Sequence, residues 1–152
     1  MNPGTYLQKR REAAGFTLGE VARQLAMMQF GQVSYTAVQR ELIAAEAGTE
    51  PLDEARLALL RHVFPFSREV HRRLAAHAAD PAAPMPEICR ECACSFFDPC
   101  HPAGGTAKEF ATGTCWWVFQ PDPTAEPLCS ACALSAPAPV PPVPPTPVKE
   151  AA

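Results

Sequence analysis

Apolar residues recur at helical spacing through the first half of the chain and lose that order in the second. Thr5 to Ala14 sets Leu7, Arg10, Arg11 and Ala14 on one side of a helix, and Gly15 stops it in the C′ manner. Thr17-Leu-Gly-Glu20 is a capping box, in which the Thr hydroxyl takes an N3 amide and the Glu reaches back. The helix it opens carries Leu18, Val21, Ala22 and Leu25, an i, i+3, i+4, i+7 stripe. Met27 to Gln32 reads as a connection. Ser34 caps a predicted third helix to about Ala47, with Val38, Leu42 and Ala45 inward, and Gly48 ends it. Leu52 or Asp53 starts a fourth, with Ala55, Leu59, Leu60 and Val63 apolar, and Pro65 stops it. Ser67 caps a fifth, with Val70, Leu74 and Ala78 on one side.

The order breaks at Asp80. Residues 80–86 hold three prolines and read as a stiff linker. Residues 87–134 form a Cys-rich module. Residues 135–152 hold seven prolines between Pro137 and Pro147, a composition that favours polyproline II and builds no core, so a disordered tail is expected. The predicted fold is therefore mainly α: a helical bundle over 1–79, a small irregular module stapled by metal, and a Pro-rich tail.

All seven cysteines fall between Cys89 and Cys132. The cluster opens with Cys89-Arg-Glu-Cys92 and closes with Cys129-Ser-Ala-Cys132, and each pair can aim two sulfurs at one ion. Four thiolates from these two pairs make the leading candidate site, with zinc as the expected ion because it favours tetrahedral thiolate without redox chemistry. The 36 residues between the pairs exceed the usual ribbon gap of roughly 15–20. Inside that gap lie Cys94, Cys100 and Cys115. With His101 they could form a second site, or one thiolate could bridge two ions so that all seven sulfurs serve both. An iron–sulfur cluster is the competing chemistry, although the Cys-x2-Cys-x-Cys-x5-Cys spacing matches neither common ferredoxin pattern. Phe96, Phe97, Trp116, Trp117, Val118 and Phe119 are expected to cover the metal and make a minimal core, with Trp116/Val118 and Trp117/Phe119 on opposite faces of a strand. A partner-binding patch is the alternative.

Charge divides along the same line. Residues 1–79 carry 10 Lys/Arg against 8 Asp/Glu, and residues 80–152 carry 3 against 8. The net charge of −3 argues against indiscriminate nucleic-acid binding but leaves room for a basic face on the helical half. There is no visible secretory signal and no run approaching the roughly 18 apolar residues of a membrane span, so the cytoplasm is the expected compartment and no membrane partner is expected. Reduced thiols in that compartment favour metal over disulfides. No Ser-His-Asp set, phosphate loop or HExxH is present, and enzymatic activity is not expected.

The stretch Tyr6-Leu-Gln-Lys-Arg-Arg-Glu-Ala-Ala-Gly-Phe-Thr-Leu-Gly-Glu-Val-Ala-Arg-Gln-Leu25 resembles the opening of the lambda-repressor/Cro-type helix-turn-helix family. Val33-Ser34-Tyr-Thr-Ala-Val38 and Glu46-Ala-Gly48 are similar to its recognition helix and the turn after it. The resemblance covers about residues 5–65 and implies a regulator that binds double-stranded DNA. A helix with small polar side chains and a few long donors at its N-terminal end fits the major groove. Here that end presents Ser34, Tyr35, Thr36, Gln39 and Arg40, with Lys9, Arg10, Arg11 and Arg23 as phosphate contacts. The chain departs from the family in the turn from Ala26 to Val33, which is longer and more apolar. The run Cys115-Trp-Trp-Val with Leu128-Cys-Ser-Ala-Cys132 looks like small Cys-rich modules of phage and prophage genomes, which implies a bacterial or phage regulator. The module then adds a protein contact or dimerises the chain. The alternative is an adaptor that binds a protein partner and no DNA.

Overall fold

The computed structural model describes residues 1–29, 32–100, 114–122 and 124–135. Phe30, Gly31, the candidate ligand His101 and the tail beyond Ser135, expected to be disordered, lie outside the described residues. The described chain is mainly helical, with a cysteine cluster following the helices. Among the described residues no helix is long and apolar enough to cross a membrane.

Five helices form the N-terminal bundle: α1 Pro3–Ala13, α2 Leu18–Met28, α3 Tyr35–Ala47, α4 Glu54–Leu60 and α5 Arg68–Ala79. Each start is specified by a side-chain oxygen. Asn2 accepts from the Thr5 amide at 2.8 Å, with Pro3 at the first position, where its missing N–H costs nothing. Both arms of the Thr17–Glu20 capping box are made, at 3.2 and 2.8 Å. Ser34, Asp53 and Ser67 cap α3, α4 and α5. Gly48 closes α3 with φ of 75°, a conformation that penalises any residue with a Cβ.

The bundle core gathers Tyr6, Val21, Leu25, Val38, Leu42, Leu57, Leu60, Val70 and Leu74. α3 packs against both α1 and α2, and α5 lies against α1. The approach of α1 to α3 is close: a Cβ on Gly4 would meet the carbonyl oxygens of Ala45 and Glu46.

Three boundaries differ from the periodicity reading. α2 runs through Met28 and so absorbs part of the expected connection, leaving six residues, 29–34, before α3. α4 ends at Leu60, five residues before Pro65, because the chain must turn to bury Val63, Phe64 and Phe66. On α5 the buried face is Val70, His71 and Leu74, while Ala78 is exposed. The segment after α5 turns back on it, with the Ala83 carbonyl 2.7 Å from His77 Nδ1.

Two buried arginines link distant parts of the chain. Arg10, 3% exposed, pairs with Asp98 at 2.9 Å and donates to the Pro65 carbonyl. Arg11 forks onto both carboxylate oxygens of Glu46, at 2.7 and 2.8 Å, and donates to the Phe16 carbonyl. Lys9 donates to the carbonyls of Arg90 and Glu91. These contacts overturn the expectation that Lys9, Arg10 and Arg11 face phosphates. The i+3 and i+4 spacing from Leu7 puts Arg10 and Arg11 on the inner stripe, Lys9 is half-buried beside it, and all three are engaged within the chain. Ile88 and Ala93 join the same apolar cluster as the helices, so the Cys-rich module sits directly on the bundle.

Candidate metal centre

The first ligand loop is a tight knuckle. The Cys89 amide donates to the Cys94 carbonyl at 2.9 Å, and the Ala93 amide to the Cys89 carbonyl at 3.0 Å. Ala93 takes φ of 59°, the left-handed region, and this reversal brings Cys94 back beside Cys89 and Cys92. The far end of the module is held by a second set of backbone bonds. The Val118 amide donates to the Leu128 carbonyl at 2.9 Å and the Ser130 amide to the Trp116 carbonyl at 2.8 Å. The short helix α6, Ser130–Ser135, then carries Cys132. Two contacts join the ends. The Arg90 amide donates to the Pro127 carbonyl at 2.9 Å, and the Cys129 amide to Cys89 Sγ at 3.4 Å. Cys100 and Cys115 are brought together by a bond from the Cys115 amide to the Cys100 carbonyl at 3.0 Å.

The sulfurs converge in two groups of four. Cys89, Cys92, Cys94 and Cys129 have sulfurs all within 4.8 Å of one another, as do Cys94, Cys100, Cys115 and Cys129. Within them the sulfurs of Cys100 and Cys129, and of Cys94 and Cys115, lie 3.6 Å apart, and those of Cys92 and Cys129 3.7 Å. A tetrahedral ion with metal–sulfur bonds of about 2.3 Å sets its ligand sulfurs roughly 3.8 Å apart, so the spacing fits a thiolate-bound cation. The four cysteines expected from the paired motifs are thus not the set that this geometry groups. Cys94 stands with Cys89, Cys92 and Cys129, while Cys132 belongs to neither group of four and packs against the cluster from α6.

Electrostatics supply the reason for a cation. Burial pushes the Cys115 and Cys132 thiols up to about 12. Cys129 moves the other way and is held well below the ordinary thiol range, because its sulfur accepts from Cys100, Cys89, Cys92 and Cys94. Against their contact with Cys129, donation from Cys92 and Cys94 also lowers Cys89 to about 5 and Cys100 to about 7, whereas Cys92 and Cys94 are themselves raised by their sulfur neighbours. Ionising the rest requires a positive charge among them.

The aromatic residues do not form the expected cover. Phe96 is 84% exposed, Phe97 66%, Trp116 53% and Phe119 90%, and only Trp117 and Val118 are partly buried. Strand alternation fails because the pairing is a single isolated bridge, Trp117 with Cys129, rather than a ladder. A cavity of about 320 Å³ opens beside the sulfurs, lined in part by Phe96, Cys115, Trp116 and Trp117.

On the helical half, Ser34, Tyr35, Thr36 and Arg40 are exposed and Gln39 is half-buried. Arg23 is exposed on α2. The residue that sequence reasoning missed is Asp98, which anchors the module to Arg10; its only signal was an acidic side chain inside the cysteine loop.

Compared with protein-family models, curated proteins and solved structures, the chain matches none.

Proposed function

We propose that the chain is a cytoplasmic DNA-binding regulator that enters the major groove with the N-terminal end of α3, its Cys-rich module holding structural zinc. The observation that carries this reading is the exposure of Ser34, Tyr35, Thr36 and Arg40 on one end of a helix braced from behind by α2 and α1. Tyr35 leans on the start of α2, within 3.1 Å of where a Gly19 Cβ would stand, and this contact orients the end of α3. Gln39 suits adenine and Arg40 suits guanine or a phosphate. With Lys9, Arg10 and Arg11 turned inward, the phosphate contacts fall to Arg23 and Arg40. The footprint is therefore small, and binding is selective rather than driven by bulk charge.

The test is a binding titration against duplex DNA pools across salt. Affinity is expected to fall with a log–log slope of about −0.9 per phosphate neutralised, and Arg40→Ala is expected to weaken it by about tenfold or more. Absence of salt-dependent binding, or indifference to Arg40→Ala, would refute the reading.

A second reading has its own observation. Phe96, Phe97, Trp116 and Phe119 expose large aromatic surface on the module, and such surface suits a protein partner or a second copy of the chain. An adaptor role predicts binding that survives Arg40→Ala and is lost when these aromatics are truncated.

A further inference from the structure

We infer that the module holds two divalent cations rather than one, joined through the sulfur of Cys129. Cys89, Cys92, Cys132 and Cys129 surround the first ion. Cys94, Cys100, Cys115 and Cys129 surround the second.

The sulfur at the middle is Cys129. It is 1% exposed and belongs to both groups of four. It lies 3.7 Å from Cys92 of the first group and 3.6 Å from Cys100 of the second, each close to the edge of a thiolate tetrahedron. Cys92 and Cys100 themselves approach to 3.9 Å, so the two groups are in contact. One tetrahedral ion takes four sulfurs and would leave three thiols packed against its thiolates. Two ions need eight positions, and seven cysteines fill eight when one sulfur is shared.

Local geometry selects the partners of each ion. The second group is complete with Cys129 as its fourth sulfur. Around the first ion, assigning Cys94 to the second leaves one position open, and Cys132, carried on α6 three residues after Cys129, packs against the cysteine cluster beside it. Cys94 is the other sulfur common to both groups. Its 3.6 Å contact with Cys115 assigns it to the second ion. As each ion enters, the thiols it binds release their protons to solvent, and the bridging thiolate is shared without a further ligand.

The experiment uses the full chain loaded with cadmium-113. Native mass spectrometry should count two ions per chain. Cadmium–proton correlation spectra should show two cadmium resonances, with the Cys129 β-protons coupled to both and the Cys132 β-protons coupled to one. Cys132→Ser should release one ion to a competing chelator and retain the other. One ion per chain, two ions without a common cysteine, or Cys94 coupled to both ions while Cys132 couples to neither would each overturn the inference. So would iron with acid-labile sulfide in the natively isolated protein. None of these readouts depends on whether the chain binds DNA.

Discussion

Replacing Arg10 by Met should destabilise the protein in a way that depends on pH. The Arg10–Asp98 pair joins α1 to the cysteine loop, and both side chains are nearly removed from water, at 3% and 11% exposure. Arg10 Nη1 and Asp98 Oδ2 find no hydrogen-bond partner among the described residues, so the pair is only partly compensated. Burial already lifts the Asp98 carboxyl above its ordinary range, and Arg10 is what pulls it back. Arg10→Met removes that pull and leaves a buried carboxylate. At about pH 7.5 the penalty should be about 3–5 kcal/mol, the usual cost of breaking a buried pair. That corresponds to a fall in melting temperature of roughly 6–20 °C for a chain of this size. Because the folded pKa of Asp98 lies above its unfolded value, the folded state holds the extra proton at low pH and loses stability as pH rises through the folded pKa. The penalty relative to wild type should therefore shrink as pH is lowered from about 7.5 towards 5. Arg10→Met combined with Asp98→Leu should return stability to within about 1 kcal/mol of wild type. Thermal and urea melts of metal-loaded protein, compared with wild type at each pH, supply the measurement. A penalty that stays constant across that range, or a double variant no better than the single one, would refute the reasoning.

Two further outcomes follow from buried polar groups. The Tyr6 hydroxyl, fully buried, accepts from the Ser67 amide at 2.8 Å at the cap of α5; Tyr6→Phe leaves that amide unpaired and should cost about 1–3 kcal/mol in a urea melt. Burial lowers the His71 pKa, so protonation favours unfolding, and stability falls as pH drops through the unfolded histidine value; His71→Leu should flatten that fall between about pH 7.5 and pH 5.5 when melts of the two proteins are compared.

The helix starts were legible because caps are local. Thr17 with Glu20, Ser34 and Ser67 each act within three residues, and all three appear in the structure as their spacing implies. The fate of Arg10 and Arg11 was legible only in part. Their spacing with Leu7 marks an inner stripe, but the partners that neutralise them, Asp98 and Glu46, are far along the chain. A charged residue without a visible partner reads as surface. In the cysteine module the paired motifs signal a metal site, and the structure does bring three of their four sulfurs, those of Cys89, Cys92 and Cys129, together. Which four sulfurs share an ion depends on the chain reversal at Ala93 and on the contact between Cys100 and Cys115, neither of which spacing can express. The aromatic residues misled for a related reason. An apolar run near a metal site suggests a cover, yet Phe96 and Phe119 stand in solvent, and an ion bound by the cysteines would supply the stability that a core otherwise gives.

The helical half and the metal centre are mechanically one object through α1. Cys92 and Cys94 flank Ala93, which is buried in the helical core cluster, and the carbonyls of Arg90 and Glu91 are held by Lys9. Asp98, between Cys94 and Cys100, is held by Arg10 one residue further along the same helix. Any ion bound by these cysteines therefore fixes residues 89–100 against one face of α1. The opposite consequence is equally direct, since loss of that loop would expose the Arg10 guanidinium and the apolar contacts of Ile88 and Ala93. α1 in turn meets α3 at Gly4, with no room for even a methyl group, and Arg11 clamps Glu46 near the end of α3. Ligand binding that favours the folded state raises its stability by an amount set by ion concentration and affinity. Stabilisation by such an ion would reach α3, the helix whose free end is proposed to read DNA, through the contacts of α1. An ion held by these cysteines would thereby steady the frame on which α3 stands.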